Sequence, residues 1–212
     1  MIPLVIVGAG GCGREVAASV IDINMQHPTF ELLGFTDSNL SKGDVVNGLP
    51  VLGDLEYFQS CPDSVHAVIA VALPCHRKMI ADKLLKIRPS LLFANIVANG
   101  ASISPTTSTL GKGVIIYRDV ILSVNMTVGD HVILNTRVNA GHDVEIGDFC
   151  TVGPYANLLG YVTVGEGSYV GACSVIFPKT KIESNSVVGL GSVVTRRVKS
   201  GHTVFGNPAK TV

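Results

Sequence analysis

Two short stretches carry side chains that could do chemistry. The first is His142 beside Asp143. A neutral imidazole can take a proton from an amine or hydroxyl as that group attacks an acyl carbon. The ordinary imidazole pKa, near 6.5, suits that work at neutral pH. A neighbouring carboxylate can fix the ring tautomer and stabilise the imidazolium. The second stretch is Gly8, Gly10 and Gly13, which spell G-x-G-x-x-G after an apolar run and before a helical pattern. Such glycines let backbone N–H groups approach a phosphate at a helix N-terminus. Asp37, some 24 residues beyond Gly13, ends the next apolar run, where an acidic group could reach a ribose or a base. Spacing alone favours plainer readings: an exposed polar pair and a tight turn.

The elements that must position these groups follow two different grammars. From Leu110 to Val194 every sixth residue is apolar, through Ile116, Leu122, Leu134, Ala140, Ile146 and onward without a register slip. Fifteen hexads therefore run from Leu110 to Lys199. A small or β-branched residue dominates a second hexad position, as at Val114, Val132, Val144 and Ser168, and Gly often follows the apolar one. A fixed short period marks a solenoid, and period six marks a parallel β-helix, expected here to coil left-handedly. Three faces of six residues give coils of eighteen, hence five coils and a prism about 24 Å long at ~4.8 Å per coil. The apolar residues point inward, and His142 falls on an outward position. So narrow a prism has no room for an internal pocket, which places its sites outside, between neighbouring prisms. Val97, Ala101, Ile103 and Thr107 run one residue out of phase, which predicts one extra residue near Thr109.

Residues 1–95 do not follow the hexads. Leu4–Val7, Phe30–Phe35 and Val65–Val71 read as strands. Arg14–Met25, Asp54–Gln59 and His76–Ile87 read as helices, the last with Met79, Ile80, Lys83, Leu84 and Ile87 at helical spacing and Pro89 as its stop. Strand–helix alternation predicts βαβ units and a small parallel sheet. The fold class is therefore mixed: a small Rossmann-like α/β domain over 1–95, a hinge at Pro89–Asn95, and a β-helix with a C-terminal tail over 96–212.

Sixteen basic residues balance sixteen acidic ones, and only 15% of residues are charged. That leaves no electrostatic footprint for nucleic acid and no basic run for a membrane surface. Five cysteines without a CxxC pair argue against a disulfide framework and fit a reducing compartment. The apolar Ile2–Val7 is too short for a signal core or a membrane span. A cytoplasmic protein is expected.

The hexads, the stretch Asn139 to Gly147 around His142-Asp143, and the terminal Phe205-Gly206-Asn207-Pro208-Ala209-Lys210 together resemble the hexapeptide acyltransferases. With the Gly8–Gly13 domain in front, the whole chain resembles one branch. That branch holds the sialic acid O-acetyltransferases and the nucleotide-aminosugar N-acetyltransferases of bacillosamine and perosamine synthesis. The resemblance implies a homotrimer that uses acetyl-CoA, with His142 as general base and Asp143 as its orienter. It implies a nucleotide-sugar held by the first domain near Gly11, Cys12, Gly13 and Asp37. It implies a coenzyme groove at Ala172, Leu190 and Gly191, with Lys210 toward a coenzyme phosphate; a solvated tail lysine is the plainer reading of Lys210. The chain departs from the family at Cys12, where relatives often carry His, and at Leu73-Pro74-Cys75, where they often carry Gly with Asp or Asn. It departs again at Thr151, which stands where close relatives place a second His against the acetyl thioester; the resemblance implies a coenzyme contact there, for which a Thr hydroxyl can still donate a hydrogen bond.

The function this implies is acetylation of a sugar, first the amine of a nucleotide-linked 4-amino sugar for surface glycans. O-acetylation of a sialic-acid-type sugar is the alternative, and the residues do not separate the two. A non-enzymatic β-helix assembly protein is the bland alternative. A zinc carbonic anhydrase of similar architecture needs three converging histidines. His131 and His142, eleven residues apart, fall on different faces, so no metal is expected.

Overall fold

The computed structural model describes residues 1–212, which divide into two compact units, Met1–Ala98 and Asn99–Val212. In the first, β1 (Ile2–Val7), β2 (Phe30–Thr36), β5 (His66–Ile69) and β6 (Leu92–Phe93) form a parallel sheet in the order β2-β1-β5-β6. Its central strand is an unbroken apolar run, as a strand covered on both faces must be; Leu4, Val5 and Ile6 are fully buried. Helix α1 (Gly11–Gln26) crosses from β1 to β2, and α3 (Pro74–Ile87) from β5 to β6. The order reverses between β1 and β5, the place where open α/β sheets bind ligands.

Several boundaries differ from the sequence expectation. Helix α1 starts at Gly11 rather than Arg14, with Gly10 as N-cap, so Gly11–Gly13 form its first turn. Gly13 is buried there for a steric reason: a Cβ would lie 1.8 Å from the Gly8 carbonyl oxygen. Helix α3 starts at Pro74, whose missing N–H costs nothing in a first turn. Of the positions read at helical spacing only Leu84 is buried. Arg77, Ala81 and Leu84 are buried, while Met79 is 48% exposed. The middle helix shrinks to α2 (Tyr57–Ser60). A hairpin, β3 (Val45–Val46) with β4 (Leu49–Pro50), turns through Asn47-Gly48, both at positive φ. The expected hinge contains β6, and the division between units falls later, after Ala98.

The second unit is a parallel β-solenoid of about six turns. Its two-residue strands pair at a spacing of eighteen residues, as in Ile115↔Ile133↔Thr151↔Tyr169↔Val187 and Thr127↔Glu145↔Thr163↔Lys181. The second residue of each strand points inward: Ile116, Leu134, Val152, Val170 and Val188 stack in one fully buried column. The serine and valine rows two residues earlier are buried as well. Ser168 and Ser174 donate to the Glu183 and Gly171 carbonyls, so their hydroxyls are satisfied. Ser102↔Ile121 pairs at nineteen rather than eighteen. The extra residue therefore sits in the five-residue corner Ser104–Ser108, closed by a Ser108 N–H to Ser104 carbonyl bond. The chain ends in an antiparallel hairpin, Thr203–Gly206 with Ala209–Thr211, whose turn contains a cis Asn207–Pro208 bond.

Candidate active site

The four-residue solenoid corners from the one at Gly113 to the one at Gly191 each hold one residue at positive φ, and corner residues one coil apart project alike. In one such column stand Asn125, Asp143, Tyr161 and Lys179, with φ of 58°, 57°, 62° and 62°. His142 precedes Asp143 on the same corner, and its side chain is 52% exposed. Its Nδ1 lies 2.7 Å from Asp143 Oδ2. The His142 contact, and then Asn125 Nδ2 donating to Oδ1 at 3.0 Å, hold the Asp143 carboxyl below the usual carboxylate range. An ionised carboxylate only accepts. Nδ1 must therefore carry the proton, which leaves the Nε2 lone pair free for a base's work. The ring lies across Gly160, where a Cβ would come 2.7 Å from Nε2. Tyr161 meets the imidazole edge-on, with ring centroids 5.0 Å apart.

The residues assigned to the coenzyme occupy another corner. Gly191 N–H donates to the Ala172 carbonyl at 2.7 Å, and the Leu190 side chain is 69% exposed. Lys210, exposed on the terminal hairpin, pairs across from Phe205, whose ring covers Gly189. Thr151 is only 1% exposed, so its hydroxyl is not on the surface of this protomer. His142 and Ala172 are thirty residues apart, not a multiple of eighteen, so one chain does not bring the two corners together.

In the first unit a cleft of about 380 Å³ opens beside the carboxyl ends of β1 and β2. Gly8, Thr36, Asp37, Ser38 and Asn39 line one side, and His76, Met79, Ile80 and Lys83 of α3 line the other. Met79, Ile80 and Lys83 therefore face the cleft, while Leu84 faces the core. Asp37 accepts the Ala9 N–H on Oδ2 and the Asn39 N–H on Oδ1, each at 2.9 Å. The Thr36 hydroxyl is buried without a partner. Gly11, Cys12 and Gly13 are not among the lining residues. Buried Arg77 donates to the Val71 and Ala72 carbonyls and so fixes the loop before Leu73-Pro74. Asn125, Gly160, Tyr161 and the α3 wall were not singled out from sequence. The solenoid period could have found the first three, since 125, 160 and 161 lie eighteen residues from 143 or 142.

Residues 3–84 match the PglD N-terminal domain family, and residues 145–178 match the bacterial transferase hexapeptide family (six repeats). No curated protein sequence matches the chain. The acetyltransferase domain of PglB from Neisseria gonorrhoeae FA1090, solved with acetyl coenzyme A, is 27% identical. That match covers 100% of this chain and 99% of that one, with a TM-score of 0.90. A mutant GDP-perosamine N-acetyltransferase from Caulobacter crescentus, solved with CoA and GDP-perosamine, is 27% identical over 99% of this chain and 96% of that one, at 0.86. WeeI from Acinetobacter baumannii AYE is 27% identical, with full coverage of both chains and a TM-score of 0.85. Residues 3–84 thus resemble a PglD-type N-terminal domain and residues 145–178 bacterial transferase hexapeptide repeats. Over its whole length the chain is similar to acetyltransferases that were solved with acetyl coenzyme A or CoA.

Proposed function

We propose that this protein moves the acetyl group of acetyl-CoA onto the amine of a nucleotide-linked 4-amino sugar destined for surface glycans. The observation that carries the reading is a likeness spanning the chain. It extends to an enzyme bound to CoA and GDP-perosamine and to one bound to acetyl-CoA, and His142-Asp143 supplies a base. The sugar amine attacks the thioester carbonyl, a C–N bond forms, and the C–S bond breaks. His142 Nε2 takes the proton from the nitrogen and Asp143 stabilises the imidazolium, while the thiolate of CoA leaves and is protonated. Ala172, Leu190, Gly191 and Lys210 hold the donor. Incubation of the protein and acetyl-CoA with GDP-perosamine, UDP-linked 4-amino sugars and sialic acids, followed by free-thiol release, tests the reading. Turnover of sialic acids alone would transfer the assignment to O-acetylation.

The separation of the His142 and Ala172 corners supports a homotrimer in which donor and base come from neighbouring copies; the free cysteines fit the cytoplasmic location read from the sequence. Light scattering is expected to give three times 22.2 kDa; a monomer active at nanomolar concentration would end the shared-site arrangement.

Asp37 is assigned to the nucleotide of the acceptor. It already braces Ala9 and Asn39, so its removal both deletes an acceptor and loosens the cleft rim. A hydrogen bond involving a charged group is worth roughly 1.5–3 kcal/mol. Asp37→Ala is therefore expected to raise the acceptor KM by about 10-fold or more while leaving the acetyl-CoA KM in place. Equal changes in both constants would count against this assignment.

A further inference from the structure

The column that carries Asp143 extends one coil to either side of it, and both neighbours touch the pair. Asn125, one coil earlier, donates to Oδ1 while His142 holds Oδ2. With both oxygens engaged from different directions, the plane of the carboxylate is set. Tyr161, one coil later, stands perpendicular to the imidazole, at 86° between ring planes. Its hydroxyl adds a smaller contribution to the same carboxylate. Lys179 continues the column, its Nζ 5.9 Å from the Tyr161 centroid. Without these contacts Asp143 would be a half-exposed side chain free to turn to solvent, and so would His142.

We propose that Asn125 and Tyr161 are positioning residues, which fix the Asp143 carboxylate and through it the tautomer and angle of the His142 ring. The proposal rests on the reading of His142 as base. Its consequence is that Nε2 stays unprotonated and aimed before any acceptor arrives, so no reorganisation is left for the moment of attack.

The test uses the full-length protein with ¹⁵N-labelled histidine, read by NMR of the ring nitrogens without substrate. His142→Ala identifies the His142 signals. The wild-type ring is expected as the Nδ1–H form. Asn125→Ala and Tyr161→Phe should each move it toward the Nε2–H form that a free side chain prefers. Added to Asp143→Ala, neither should move it further, because both act through that carboxylate. Each single variant should also lower kcat about 5- to 30-fold with the acetyl-CoA KM unchanged. Ring nitrogens unmoved in both single variants, beside an inactive His142→Ala, would remove the positioning role alone. A wild-type kcat in His142→Ala would remove the base, and with it any role for residues that position it.

Discussion

His142→Ala is expected to lower kcat by 10²–10⁴-fold. That is the usual cost of losing a general base, and it corresponds to about 3–5.5 kcal/mol of transition-state stabilisation. The acetyl-CoA KM should hardly change, because the donor is assigned to a different corner of the solenoid. Asp143→Ala should cost less: it removes the group that fixes the tautomer but leaves an imidazole that still samples the productive form. Neither variant should unfold the protein. The His142 side chain is half exposed and lies beside Asp143, Gly160 and Tyr161 on the outside of a corner. Measurement is by steady-state kinetics with both substrates varied, beside a melting curve. A His142→Ala protein with wild-type melting and wild-type kcat would refute the mechanism.

The solenoid was legible because its constraint is strictly periodic. Each apolar inward position meets its own kind eighteen residues on, and the small polar residues admitted beside them, such as Ser168 and Ser174, find carbonyl partners. The observed pairing keeps that register from Thr109 to Val194, and the one slip falls in a corner, where an extra residue disturbs no strand. The α/β unit was less legible at its edges. Gly11–Gly13 are poor helix formers, and only the tertiary contact of Gly13 with Gly8 draws the first turn back to them. The Asn47-Gly48 hairpin carried a usable signal, a dipeptide suited to two successive positive φ values. The helical spacing on α3 identified the helix but not the use of its faces, because a helix face that lines a cleft and one that meets the core carry the same apolar spacing. At the site, adjacency exposed His142 and Asp143. Their support from Asn125, Gly160 and Tyr161 appears only when the eighteen-residue coil is applied to polar residues as well as apolar ones.

The register makes a second prediction of comparable size, on one strand. Glu145 and Ile146 are neighbours in sequence, but the pleat sends them to opposite sides. Ile146 is 1% exposed and stacks between Val128 and Val164. Glu145 is exposed between Thr127 and Thr163. Ile146→Ala removes three carbons from a column whose members are held at fixed spacing by the backbone ladders above and below. The coils cannot collapse into the space, so the cost should sit within the usual 2–5 kcal/mol for such truncations. Glu145→Ala deletes more atoms but buries none, and should stay within about 0.5 kcal/mol. Urea unfolding at one fixed protein concentration measures both, and an unchanged slope with a shifted midpoint marks a true change in stability. Equal losses in the two variants would mean that the strand does not separate an inside from an outside. The assignment of His142 to the outer surface would then lose its footing, because it is read from the same register.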